Sequence, residues 1–183
     1  MLSRNFRLQK VGDFEWLKKH YNFEKIAFSI DELIILDVSR EGRNINDFSS
    51  AIKEVIKNVF IPVAAGGGIR SMVDAEVLLN SGADKIVLNS ALYNNYPLIT
   101  RIIERHGSQL IIGSIDYNVE TGTKSVYIEN GMIRIPTDLE TYLEAIEKLS
   151  IGECFLTSIQ RNGTGQCYYL FSLNWILTNL TSP

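Results

Sequence analysis

Short apolar runs alternating with amphipathic segments predict an α/β fold built on a parallel sheet. Three observations support this. The runs recur roughly every 25 residues with helix-period segments between them, the rhythm of right-handed βαβ crossovers. They are nearly all apolar, as strands covered on both faces must be. Polar residues sit at their C-terminal ends: Asp37, Gly66, Asn89, Asp116 and Ser158. A doubly wound sheet and a (β/α)8 TIM barrel both fit the rhythm. Polar residues at the ends of many successive strands favour the barrel, because a doubly wound sheet gathers them at one switch point.

The elements follow in order. Residues 13–21 read as a helix with Asp13 as N-cap and Trp16 and Leu17 on its apolar side. The run 33–38 is too short and too β-branched for a buried helix. Residues 47–59 are amphipathic, with Phe48, Ile52, Val55 and Ile56 on one stripe. A strand is predicted over 60–65, a helix over 71–81 ended by Gly82, and a strand over 85–89. A helix over 98–105 precedes a strand over 110–116. Residues 124–128 and 132–135 read as a hairpin turned at Glu129-Asn130-Gly131. A helix over 138–149 and a strand over 153–158 complete the pattern.

Composition bounds the function. The 183 residues are 45% hydrophobic and 21% charged, with a formal net charge of −3, so the chain should fold as one domain. No Lys/Arg block exists to attract nucleic acid. No apolar run reaches the roughly 18 residues of a membrane span. Cys154 and Cys167 form no metal or disulfide pattern, which fits a reducing cytoplasm.

The stretch Pro62-Val-Ala-Ala-Gly-Gly-Gly-Ile-Arg70 is the most telling. A β-rich run delivers three glycines, and Ser71-Met-Val-Asp74 then opens a helix with a capping-box pattern. Bare backbone N–H groups in such a turn can approach a ligand, and phosphate is the usual one. A simple tight turn is the alternative reading.

Seven segments together carry a resemblance. They are Asp31-Glu-Leu-Ile-Ile-Leu-Asp37, Gly66-Gly-Gly-Ile-Arg70, Gly82-Ala-Asp-Lys-Ile-Val-Leu-Asn-Ser-Ala91, Pro97-Leu-Ile99, Gly107-Ser-Gln109, Ser114-Ile-Asp116 and Leu156-Thr-Ser-Ile-Gln-Arg-Asn-Gly-Thr164. In order and spacing, over about 5–164, they resemble the cyclase subunit of imidazole glycerol phosphate synthase. The resemblance implies a (β/α)8 barrel of histidine biosynthesis. It implies a glutamine amidotransferase (glutaminase) partner that supplies ammonia in a heterodimer. The substrate would be a bisphosphorylated ribotide, phosphoribulosyl-formimino-aminoimidazole-carboxamide ribotide. The products would be imidazole glycerol phosphate and aminoimidazole carboxamide ribotide. No cofactor and no metal are implied.

Carried over residue by residue, Asp116 matches the fifth-strand aspartate, one of two that act as acid and base. Gly68, with Asn89 and Ser90, matches one phosphate site. Asn162 and Gly163 match the other, and Thr157 a threonine facing the substrate. Glu32, Lys85 and Glu153 match a charged ring at the strand starts that gates ammonia.

The chain departs from the family pattern in three places. Residues 1–13 match the segment after the first strand, so the first-strand aspartate has no counterpart. The pattern stops after the sixth strand, whereas a whole barrel needs roughly 250 residues. Gln160 and Asn162 stand where aspartates are usual, and Cys167-Tyr-Tyr-Leu170 stands where Gly-Tyr-Asp-Leu is expected. The expectation is therefore an incomplete barrel over 1–165, holding about strands 2 to 6, with a divergent tail over 166–183.

Other readings stay open at this point. Asp116 reads as a proton-transfer group or a strand-end cap. Asp37 reads equally as a substrate ligand and as a holder of the following loop. Glu32, Lys85 and Glu153 read as a gate or as ordinary surface ion pairs. The whole chain reads as the cyclase, as its relative in surface-sugar amidation, or as an inactive barrel fragment.

Overall fold

A computed structural model describes residues 2–4, 7–9, 14–21, 29–39 and 41–165. The element order is β1 (Leu2–Arg4), β2 (Arg7–Gln9), α1 (Phe14–His20), β3 (Leu33–Leu36), α2 (Ile45–Ile56), β4 (Val63–Gly66) and α3 (Met72–Asn80). It continues through β5 (Lys85–Leu88), α4 (Ser90–Asn94), α5 (Tyr96–His106), β6 (Ile111–Glu120), β7 (Thr123–Ile128), β8 (Ile133–Asp138), α6 (Leu139–Glu147) and β9 (Glu153–Ser158). The predicted cap Asp13 and the segment 166–183 lie outside the described residues.

Two compact units divide the chain. The larger comprises Gly12–Ser114 and Ile151–Phe155. Here β3, β4, β5 and the first half of β6 pair in parallel, each with the next in sequence. The strands alternate faces with period two, and each face has its own core. On one face Ala64, Val87 and Ile112 cluster with Ile34 and Phe155. On the other, Leu33, Ile35 and Val63 pack against Val55 and Ile56 of α2 and Val59. This is the strand-and-helix layering of a partial (β/α) barrel, the fold that the polar strand ends favour.

The other unit comprises Met1–Val11, Ile115–Ser150 and Leu156–Pro183. The second half of β6 pairs antiparallel with β7, and β7 with β8. Lys124 of β7 is buried and paired with Glu140 of α6. Ile159 N donates to Tyr117 O at 2.8 Å, tying the chain after β9 to β6.

The boundaries shift for local reasons. Helix α2 starts at Ile45, not at residue 47, because Asn44 caps it by accepting from the N–H groups of Asn46 and Asp47. Strand β4 starts at Val63, after Pro62, whose ring nitrogen has no N–H for the ladder; Phe60 is 87% exposed. Helix α5 starts at Tyr96, with Pro97 in its first turn. Strand β6 runs on to Glu120 and turns into β7 through Thr121 and Gly122, both at positive φ. Short helix α4 follows β5 directly and was not predicted. The capping box at Ser71 and Asp74 is present as predicted, with both reciprocal bonds made.

Candidate active site

Alternation along each strand positions the candidate residues. In the larger unit the inner apolar layer is Ile34, Ala64, Val87, Ile112 and Phe155. Two residues before three of these, on the same face, come Glu32, Lys85 and Glu153. Two residues after come Leu36, Gly66, Asn89 and Ser114. The face is thus charged at the strand starts and apolar in the middle, and its strand ends carry the polar Asn89 and Ser114 beside Leu36 and Gly66.

The structure brings the charged layer together. Lys85 Nζ lies 2.5 Å from Glu153 Oε1 and 3.2 Å from Glu32 Oε2, donating to both. It is also 3.1 Å from Glu32 Oε1, an ion-pair contact without hydrogen-bond alignment. The Glu153 bond is the main cause that raises the Lys85 pKa; burial opposes it, and the Glu32 bond adds to it. An open cavity of about 510 Å³ lies at this end, lined by Asp31, Glu32, Asp84, Lys85, His106 and Gln109 among others. Asp84 accepts from Val63 N at 2.8 Å, fixing the start of β4.

At the strand ends of the same unit, Gly66 is forced by close packing: a Cβ there would come within 2.7 Å of Val87 Cβ. Gly67 and Gly68 follow at φ +104° and +72°, conformations that favour glycine. Asn89 Nδ2 donates to Ser114 O at 2.9 Å, tying the ends of β5 and β6. Ser90 Oγ lies 3.4 Å from Asn89 Oδ1. Asp37 is engaged by its own loop: Oδ1 accepts from Ser39 N at 2.9 Å, and Oδ2 lies 3.3 Å from Arg43 Nε. Arg43 was not picked out from the sequence, because no local pattern sets it against a glycine 25 residues away.

In the other unit, Asp116 is 8% exposed on β6, opposite Tyr127 of β7. Thr157 is half-buried near the end of β9. The turn after β9 is held by Arg161 N and Asn162 N, both donating to Ser158 O, and Gly163 takes φ +69°. Ser158 Oγ and Asn162 Oδ1 are buried and meet no protein partner among the described residues.

Parallel strands alternating with helices, with polar residues among those at the strand ends, define a partial (β/α)-barrel protein. The family described as "Histidine biosynthesis protein" matches residues 10–182. The chain is 41% identical over 182 residues to a Parasynechococcus marenigrum protein provisionally named imidazole glycerol phosphate synthase subunit hisF2, covering 100% of this chain and 68% of that protein. It is 36% identical over 158 residues to imidazole glycerol phosphate synthase subunit HisF of Helicobacter hepaticus, covering 86% and 61%. It is 36% identical over 164 residues to HisF of Legionella pneumophila, covering 89% and 77%. The chain belongs to the histidine biosynthesis protein family and is a HisF-like cyclase subunit. It spans about two thirds of the length of the curated relatives it matches. No helix among the described residues is long and apolar enough to cross a membrane.

Proposed function

We propose that this chain performs the ammonia-dependent cyclase chemistry of histidine biosynthesis. It converts the bisphosphorylated ribotide to imidazole glycerol phosphate and aminoimidazole carboxamide ribotide. The observation that carries this reading is the layered strand face, with Glu32, Lys85 and Glu153 at one end and Gly66, Asn89 and Ser114 at the other, in a chain whose relatives are named HisF subunits.

Asp116 is a proton-transfer group, one of the acid–base pair that the resemblance implies. A carboxylate kept on a buried strand can hold or release a proton at a fixed place, which is typically worth 10²–10⁴-fold in rate. Gly68, Asn89 and Ser90 hold one phosphate. The consecutive positive-φ glycines support this, because they leave the backbone open to an anion. Asn162 and Gly163 meet the other phosphate, Thr157 faces the substrate, and the unpartnered buried Oδ1 of Asn162 supports a polar ligand there. Asp37 holds the β3–α2 loop, a role its bonds to Ser39 and Arg43 support.

Glu32, Lys85 and Glu153 form the ammonia gate, and a glutaminase docks at the cavity beside them. The lysine clasped by two carboxylates at the strand starts supports this. Opening the gate requires breaking charged bonds that are part-exposed and therefore cheap to exchange.

The test is conversion of the ribotide with ammonium chloride as nitrogen source, followed by product absorbance. Ammonium-dependent product formation is the expected result. Saturable ribotide binding with no product at any ammonium concentration would contradict the enzymatic reading.

A further inference from the structure

Arg43 has five N–H donors in a planar fork. Its surroundings use only part of that fork. Nη2 donates to Ser39 O at 2.7 Å and to Asp37 O at 3.3 Å. Nε lies 3.3 Å from Asp37 Oδ2 as an ion pair. Nη1 has no partner among the described residues. It occupies the space beside Gly68 where a Cβ would stand: a Cβ built there would overlap Arg43 Cδ and Nη1 and come within 2.8 Å of Cζ.

Two facts follow. Gly68 is glycine for two reasons, its φ of +72° and the guanidinium lying on it. The fork itself is locked: Asp37 and two backbone carbonyls fix its plane, leaving the Nη1 edge at the glycine turn. The N–H groups of Gly67 and Gly68 donate to no backbone carbonyl among the described residues. A guanidinium edge beside open backbone donors, at consecutive positive-φ residues, is the donor set of an anion cradle.

From this geometry we infer that Arg43 is a phosphate-binding residue, its Nη1 donating to the same phosphate oxygens as the Gly67–Gly68 turn. This deepens the proposed phosphate role of Gly68 and rests on it. Asp37 is then the positioning residue: it holds the Arg43 fork in register and sits away from the phosphate. The competing account makes Arg43 a clip for the β3–α2 loop and nothing more.

The two accounts differ at Nη1, so the experiment reads it directly. Inorganic phosphate is titrated into the isotope-labelled full chain. Backbone amide resonances of Gly67 and Gly68 are followed together with the guanidinium resonances of Arg43. The expected result is that both sets shift with one common dissociation constant. Glycine shifts with Arg43 unmoved would overturn this inference and leave the phosphate reading of Gly68 standing. No shift at either would overturn the phosphate reading, and this inference with it.

Arg43→Lys gives an independent check, because lysine keeps the charge but cannot fork. Phosphate affinity should fall about tenfold or more with cooperative unfolding retained, given the strength of charge-assisted bidentate bonds. Unchanged affinity in a folded Arg43→Lys chain would overturn the inference. If that variant does not fold, the wild-type titration decides.

Discussion

Lys85 Nζ sits between the two carboxylate oxygens of Glu32, 3.1 Å from Oε1 and 3.2 Å from Oε2, although the residues are 53 apart in sequence. The pair joins the start of β3 to the start of β5, with β4 lying between them. Glu153 closes the group from β9.

This arrangement predicts a pH dependence. The Lys85 pKa is raised, first by the Glu153 bond and then by Glu32, against the opposing effect of burial. A raised folded-state pKa stabilises fully below the unfolded value and is lost as pH rises through the folded value. The contribution is therefore complete at neutral pH and fades only in strong alkali. Lys85→Met should lower stability by about 1 kcal/mol or less at neutral pH, because the group is part-exposed. Urea unfolding of both proteins across neutral to alkaline pH checks this. The gap should narrow at the alkaline end; a constant gap would mean that packing rather than charge is responsible.

Asp138 caps α6, accepting from Thr141 N at 2.8 Å. That bond is the first cause of its lowered pKa. A depressed carboxylate stabilises above its unfolded pKa and loses the contribution as pH falls through the folded value. Asp138→Ala should cost about 1 kcal/mol at neutral pH. In acid the variant and the parent should converge. Chemical denaturation at neutral and acidic pH reads both numbers.

Gly67 and Gly122 form a matched pair. Both have positive φ, +104° and +87°. A Cβ on Gly122 would meet nothing within 4 Å, whereas one on Gly67 would overlap Asp37 O and lie 2.8 Å from the Asp37 backbone C and N. Gly122→Ala should therefore cost only backbone strain, about 1 kcal/mol. Gly67→Ala should cost several times more, in the range where a domain no longer folds, about 4 kcal/mol or above. Thermal unfolding of the two variants side by side separates strain from collision.

Much of this was legible because the code is local. Ser71 and Asp74 announce their capping box three residues apart, and the structure makes both bonds. Glu32, Lys85 and Glu153 were legible through the resemblance, which implies a charged ring at the strand starts, and the structure brings the three together. Non-local features were not legible. Thr121 at positive φ is not a turn signal, so the extension of β6 into β7 was missed. Helix α4 has five residues and no side-chain cap, too short to show a period. Asp37 was balanced between two readings because its partner, Arg43, adopts its position only once the loop is folded. The packing of Arg43 on Gly68 depends on the adjacency of β3 and β4, which no short motif encodes.

The central claim is that Asp116 moves a proton on a ribotide bound by this chain. Asp116→Asn keeps the shape of a buried side chain and removes its proton chemistry. The direct measurement is the dissociation constant of the bisphosphorylated ribotide and its ammonium-driven conversion, in wild type and Asp116→Asn. We predict binding within a few-fold of wild type and conversion reduced by 10²-fold or more, about the worth of one acid/base group. Conversion per bound ribotide equal to wild type, with binding lost, would contradict the account and make Asp116 a binding residue.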